Sequence, residues 1–301
     1  MTLVIPKAKT FELPGSKPHY PPSIFFDIEY MWLSVEPDFL SRAIKCRQQL
    51  KLLIRQDTNK IELDCAKLKI GSVFLSSDVQ DIKELSFKNT NEKLFVEIGK
   101  VLPEGSRINL IINYSANPER GFYFVNEKEN PSHKKQAWTQ GEMEESKFWF
   151  PCVDHPQMKF PREISITVPD NFIAISNGDV DLIDSEFKTK RKFVWEEPNP
   201  TATYLTAIII GEFTETSKGV IYKNRIPLRY YVPKERAQDA DRTFKETPKM
   251  MEYLEKYLGV DYPYSKYSQI VIEDFPYGGM ENANCTTLYT DVLHDERAHL
   301  D

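Results

Sequence analysis

Short β-branched and aromatic runs fill the first two-thirds of this chain, and they restrict its fold more than any other feature. "RINLIINYSA" (107–116), "EISITVP" (163–169), "KRKFVWEE" (190–197) and "TYLTAIIIGEF" (203–213) have strand length and strand composition. Pro103, Gly105, Asn177-Gly178 and Pro198-Asn199-Pro200 punctuate them. "SNGD" (176–179) predicts a hairpin turn, because Asn-Gly accepts positive φ at both central positions. "PHYPPS" (18–23) predicts a proline-stiffened entry segment. The runs together predict a β-sandwich of about 200 residues.

The pattern changes after Gly219. "RIPLRYYVP" (225–233) is one more strand, and "KERAQDADRTFKETPKMMEYLEKYLG" (234–259) then predicts a long helix. Its spacing puts Phe244, Met251, Leu254 and Leu258 on one face, with Gly259 at the C-terminal cap. Pro248 is expected to kink that helix or divide it. "KYSQIVIEDF" (266–275) returns to strand. Strand, helix, strand opens an α/β or α+β domain, and the chain is expected to stop before that domain completes a core. The expected division is 1–218 for the β domain and 219–301 for the incomplete second one.

Composition limits the function classes. The 301 residues are 41% hydrophobic and 28% charged, as in ordinary soluble proteins. A net charge of -6 with intermixed signs argues against a nucleic-acid partner, which needs a concentrated basic face. No apolar run approaches the roughly 20 residues of a membrane helix. The start, "MTLVIPKAKTFELPG", lacks an apolar core before a small-residue cleavage site, so a cytoplasmic location is expected. Cys46, Cys65, Cys152 and Cys285 are scattered and form no C-x-x-C pair, which predicts reduced thiols.

Chemistry concentrates in "FPYGGMENAN" (275–284). Glycines at 278 and 279 let another backbone approach closely, so an extended peptide could add to a sheet edge there. Glu281 would then meet the peptide's terminal ammonium. On spacing alone, a plain turn with a solvated glutamate is the favoured alternative.

The pentapeptide "GGMEN" (278–282) resembles the exopeptidase motif of the zinc aminopeptidases, the family of aminopeptidase N, aminopeptidase B and leukotriene hydrolase. Two further blocks resemble the same family: "WTQGEMEESKFWFPCVDHPQMKFPREISITVP" (138–169) and "YLGVDYPYSKYSQIVIEDF" (257–275). The resemblance implies a saddle-like N-terminal β-sandwich followed by the opening of a thermolysin-like α+β catalytic domain. It implies that Glu281 binds a peptide's α-amine, that Gln140 and Glu142 lean into the same pocket, and that Gly278, Gly279 and Met280, with Asn282 closing the motif, hold the substrate main chain. It further implies zinc in a full-length enzyme.

No zinc is expected in this chain. In "HDERAH" (294–299) the histidines stand five apart, whereas H-E-x-x-H needs four to share a helix face. In the resembling family the zinc helix follows the exopeptidase strand, and this chain is expected to end short of it, without peptidase activity. His19, His133 and His155 are isolated, and Asp154 in "PCVDHP" suits a structural turn. A noncatalytic peptide-binding scaffold is the alternative function, and Gly141-Glu142 argues against an epoxide-hydrolysing relative. An uncovered helix face predicts self-association, with a mobile tail from about Asp291.

Overall fold

The computed structural model describes residues 21–78, 81–125, 134–184, 189–217, 221–223 and 225–298. His19, His133, His299, the start of "PHYPPS" and the expected boundary at 218/219 lie outside them.

An eight-stranded sheet is the backbone of the fold, and its central strand is Phe26–Asp38. Met31, Leu33 and Val35 of that strand are buried, as period-two alternation with one face on a core requires. Ala43–Ile54 pairs with it antiparallel, and Lys159–Pro169 pairs parallel on the other side, with Val35 opposite Ile166. Arg107–Ala116, Lys69–Asp78 and Asp81–Glu84 extend one wing; Lys190–Ala202 and Asp179–Asp184 extend the other. The run "RINLIINYSA" is a strand over its full predicted length.

A three-stranded sheet (Thr58–Asp64, Lys93–Leu102, Ser86–Asn89) and a four-stranded sheet (Ile173–Ser176, Ile208–Gly211, Gln136–Thr139, Phe122–Val125) share one buried core with the large sheet. This mainly β arrangement agrees with the sequence expectation. Two details differ. "TYLTAIIIGEF" is not one strand: Thr203–Leu205 is a 3-10 turn, Ile208–Gly211 joins the four-stranded sheet, and Phe213–Glu215 joins another. "SNGD" is no hairpin either, because it carries the chain from the four-stranded to the eight-stranded sheet. Only Gly178 has positive φ, at 76°, and the Asn177 side chain is committed to distant backbone instead.

The remaining sheet runs Phe213–Glu215, Ile226–Pro233, Tyr267–Ile272, Cys285–Tyr289, Gly279–Met280, with Ile221–Tyr222 also paired to Ile226–Pro233. Its alternation serves two cores. Tyr231, Ile270 and Ile272 face the main core, while Tyr230, Val232 and Val271 face a second one with Ala240, Phe244 and Met251. Those three belong to helices α1 (Ala237–Phe244) and α2 (Thr247–Leu258). Pro248 divides the predicted helix, and Gly259 closes α2 in the left-handed conformation. Leu254 and Leu258 are 51% and 63% exposed, contrary to the predicted face. The buried stripe of α2 is Thr247, Met251 and Glu255. Glu255 accepts from the Tyr222 hydroxyl (2.7 Å) and the Tyr262 amide (2.7 Å) and pairs with Lys223. That network, Lys223 foremost, holds its carboxyl down to about 2. Within the tail expected to be loose from Asp291, residues 293 and 294 are instead docked: Leu293 is buried, its carbonyl accepts from Arg236 (3.0 Å), and Thr243 accepts from the His294 amide (2.8 Å).

Asp154 is a structural turn residue. Its carboxylate accepts from the Lys147 amide (3.1 Å), and its own amide donates to Asp64 (2.9 Å). Burial pushes its carboxyl up to about 7. The folded chain therefore holds a proton that the unfolded chain, with an ordinary aspartate near 4, gives up. Stability should fall as pH rises between those values, by on the order of 3 kcal/mol. Asp154→Asn should flatten the fall, as urea denaturation across that range would show; an unchanged profile would refute it.

Candidate functional site

Gly279–Met280 is the outermost strand of its sheet, paired on one side only, with Gly279 opposite Leu288 and Met280 opposite Thr287. The predicted edge therefore exists, although Cys285–Tyr289 separates it from the strand in "KYSQIVIEDF". Gly278 and Gly279 are exposed, and nothing lies within 4 Å of where a Gly278 Cβ would stand. A two-residue open edge leaves main-chain groups free for an added strand.

Glu281 is exposed between buried neighbours, Met280 and Asn282, each 2% accessible. Its carboxylate makes no hydrogen bond or ion pair among the described residues. The backbone around it is fixed: the Cys285 amide donates to the Asn282 carbonyl (2.9 Å). Asn177 Nδ2 donates to the Ala283 carbonyl (2.8 Å).

The second predicted block reaches the same place. Gln140 Nε2 lies 3.2 Å from Met280 Sδ, and Trp138 Nε1 donates to the Glu273 carbonyl (3.1 Å). The Glu273 amide donates to Gln136 Oε1 (2.9 Å). Trp138 packs edge-on against Phe275, with ring centroids 5.4 Å apart. Gln140 is buried, and its Oε1 has no partner among the described residues. Two residues on, Glu142 is exposed. Its turn is built tightly, since a Cβ on Gly141 would stand 2.4 Å from the Tyr204 carbonyl oxygen. Glu145 closes that turn through its amide to the Gly141 carbonyl (2.9 Å). Its carboxylate takes Arg120 and the Tyr123 hydroxyl (3.0 Å). Burial, aided by Glu145, pushes that phenol up to about 12.

The predicted residues thus meet in part. Gln140 touches Met280, and Glu142 and Glu281 both present free carboxylates to solvent. Asn282 is turned inward, with Nδ2 3.5 Å from Thr287 Oγ1, so its side chain belongs to the turn. Sequence reasoning missed Arg120, Tyr123 and Glu145, whose only signal is a glutamate three residues past Glu142. It also missed Lys266 and Asn284, described below. Among the described residues, no three His, Cys, Asp or Glu side chains gather as a metal ion would need.

Comparison with known proteins fits this geometry. The peptidase M1 N-terminal domain matches residues 17–205, and the peptidase family M1 domain matches 242–300. The chain belongs to the peptidase M1 family. Arabidopsis thaliana aminopeptidase M1 is 29% identical over 88% of the chain and 31% of its own length. Human glutamyl aminopeptidase is 31% identical over 59% of the chain and 18% of its length. Rat endoplasmic reticulum aminopeptidase 1 is 26% identical over 82% of the chain and 27% of its length. The chain therefore spans less than a third of these M1 relatives, and corresponds to an N-terminal portion of such a peptidase.

Proposed function

We propose that this chain supplies the amine-anchoring half of a zinc-dependent M1 aminopeptidase that removes N-terminal residues from peptides. Its β domain would run to about residue 218 and be followed by the opening of the catalytic domain. One observation carries the proposal: an unpaired, exposed Glu281 carboxylate is fixed between buried residues at an open sheet edge. Glu281 and Glu142 would take the substrate ammonium in charge-assisted hydrogen bonds. Gly278, Gly279 and Met280 would pair with its main chain, and Gln140 would hold Met280 in place. Placing a peptide's terminus there fixes which bond is presented for cleavage. Zinc, when bound in a longer protein, would activate water. The described residues offer no ligand set for it, and the chain alone is proposed to be inactive. Four free, buried cysteines support a reducing, cytoplasmic location.

The test is an NMR titration of the chain with L-leucinamide and its N-acetyl form. Only the free amine should shift residues 278–282, and Glu281→Gln should weaken it by about tenfold, the worth of one charge-assisted bond. Equal binding of both compounds, or an unaffected variant, would sink the proposal.

Self-association through α2 is part of the same proposal. Tyr253, Leu254, Tyr257 and Leu258 form an exposed apolar face, with the tyrosine rings stacked at 6.0 Å. Sedimentation should show concentration-dependent dimers that Leu254→Lys abolishes; a monomer at every concentration would refute this.

A further inference from the structure

Behind the turn that follows Glu281 lies a buried polar hub, to which neither the family match nor the amine site assigns a role. Lys266 is 1% exposed, and its ammonium has three acceptors for its three protons. These are the Ser176 carbonyl (3.0 Å), Asn284 Oδ1 (3.0 Å) and the Asn284 carbonyl (3.4 Å). The ammonium also sits 5.1 Å from the centre of the Trp195 ring. Asn284 is 3% exposed and left-handed, with φ 51°. Its Oδ1 accepts additionally from the Gly178 amide (2.8 Å), its Nδ2 donates to buried Glu197, and its carbonyl also accepts from the Ser268 amide (2.9 Å). Asn177, next to Gly178, uses its side chain to bind the Ala207 amide (2.7 Å) as well as the Leu205 and Ala283 carbonyls.

The partners fall into two groups. Ser176 and Glu197 lie in the four-stranded and large sheets and Asn177-Gly178 in the bend that joins those sheets, whereas Ala283 and Asn284 belong to the turn that begins at Glu281. Every polar atom of Asn284 except its own amide is thereby tied to residues outside the turn. Glu281 itself has no such tie. A carboxylate that must meet an ammonium in a fixed direction loses affinity when its backbone has to be ordered on binding.

We propose that Lys266 is a positioning residue: with Asn284 it clamps the turn behind Glu281 to the N-terminal sheets and so fixes the direction of the amine-binding carboxylate. This rests on the amine-site reading above. Lys266 touches no substrate. It acts through Asn284: removing its ammonium takes away the tie from Asn284 to the Ser176 carbonyl and leaves Asn284 to Gly178, Glu197 and Ser268.

The test compares L-leucinamide with N-acetyl-leucinamide by NMR titration in the wild-type chain, Glu281→Gln, Lys266→Met and Asn284→Gly, with thermal melting of each. Glycine accepts the left-handed conformation, so Asn284→Gly opens the hub without straining the backbone. Lys266→Met and Asn284→Gly should each reduce the preference for the free amine by about three- to tenfold, while affinity for the acetylated compound stays at its wild-type level. If Lys266→Met fails to fold, the Asn284→Gly comparison decides alone. A lower melting temperature with an unchanged preference would mean a structural role only and would overturn the inference. If Glu281→Gln loses the preference while both hub variants keep it, the inference fails and the amine reading stands. If the wild-type chain shows no preference, the amine reading fails and the inference falls with it.

Discussion

Gly178→Ala should destabilise the chain by about 2 to 5 kcal/mol. Two independent costs add. A Cβ at 178 would stand 1.8 Å from the Glu196 carbonyl oxygen and 2.6 Å from the Glu197 amide nitrogen, all rigid backbone within the strand Lys190–Ala202. Relieving such an overlap typically costs about 1–3 kcal/mol. The residue also has φ 76°, where an L side chain costs roughly 1–2 kcal/mol more than glycine. The sum is a large share of the 5–15 kcal/mol typical of a folded domain. Moving residue 178 would also lengthen its bond to Asn284, so the resonances of residues 278–284 should shift in the folded fraction. Urea denaturation reads the loss, and a change under about 0.5 kcal/mol would show that the strand yields easily.

The second large effect is expected at Glu197. It is 1% exposed, accepts from the Asn199 amide and side chain (both 2.9 Å), and takes Asn284 Nδ2 on its other oxygen. Two buried cations share its neighbourhood, Arg162 and Lys266, each 1% exposed. Burial lowers the Arg162 guanidinium to about 10 against the opposing pull of Glu197, and it lowers the Lys266 ammonium as well. Among the described residues Arg162 leaves Nε and Nη1 without partners, while Nη2 donates to the Thr201 carbonyl (2.6 Å) and hydroxyl (2.8 Å) and, at longer range, to the Phe160 (3.3 Å) and Ala202 (3.4 Å) carbonyls. Glu197→Ala removes a buried carboxylate whose charge both cations feel. No direct ion pair joins them among the described residues, but removing the carboxylate takes a buried counter-charge from two buried cations, a loss on the order of 3 kcal/mol. Glu197→Gln keeps the shape and removes the charge, so it should account for most of that loss. A glutamine variant as stable as wild type would assign the residue to hydrogen bonding alone.

Much of the architecture was legible because its causes are local. "RINLIINYSA" alternates with the period of a half-buried strand, and Pro248 divides its helix because it cannot donate the bond an interior residue must. The GGMEN motif was legible as a residue order, and the open edge beneath it follows from two adjacent glycines. What stayed hidden depends on partners distant in sequence. Asn177-Gly178 carries a hairpin signature, yet its side chain answers to residues 205–207 and 283. Lys266 reads as a surface lysine leading into a strand, and only the sheet order buries it. Leu254 and Leu258 obey helical spacing, but the helix is seated by Glu255, whose ionic partners at 222–225 no periodicity reveals.

The parallel pairing of Phe26–Asp38 with Lys159–Pro169 sets an order of events on the ribosome. Four antiparallel strands on one side of Phe26–Asp38 are all complete by residue 116. The other side stays unpaired until Ile166 can reach Val35. Until then the nascent chain presents a long central strand, carrying Met31, Leu33 and Val35, with one row of main-chain groups open to any passing strand. Closing so distant a pair is slow compared with forming local hairpins. The chain is thus most vulnerable to misassembly before the segment around residues 159–169 emerges, and its safety then depends on how fast that segment follows.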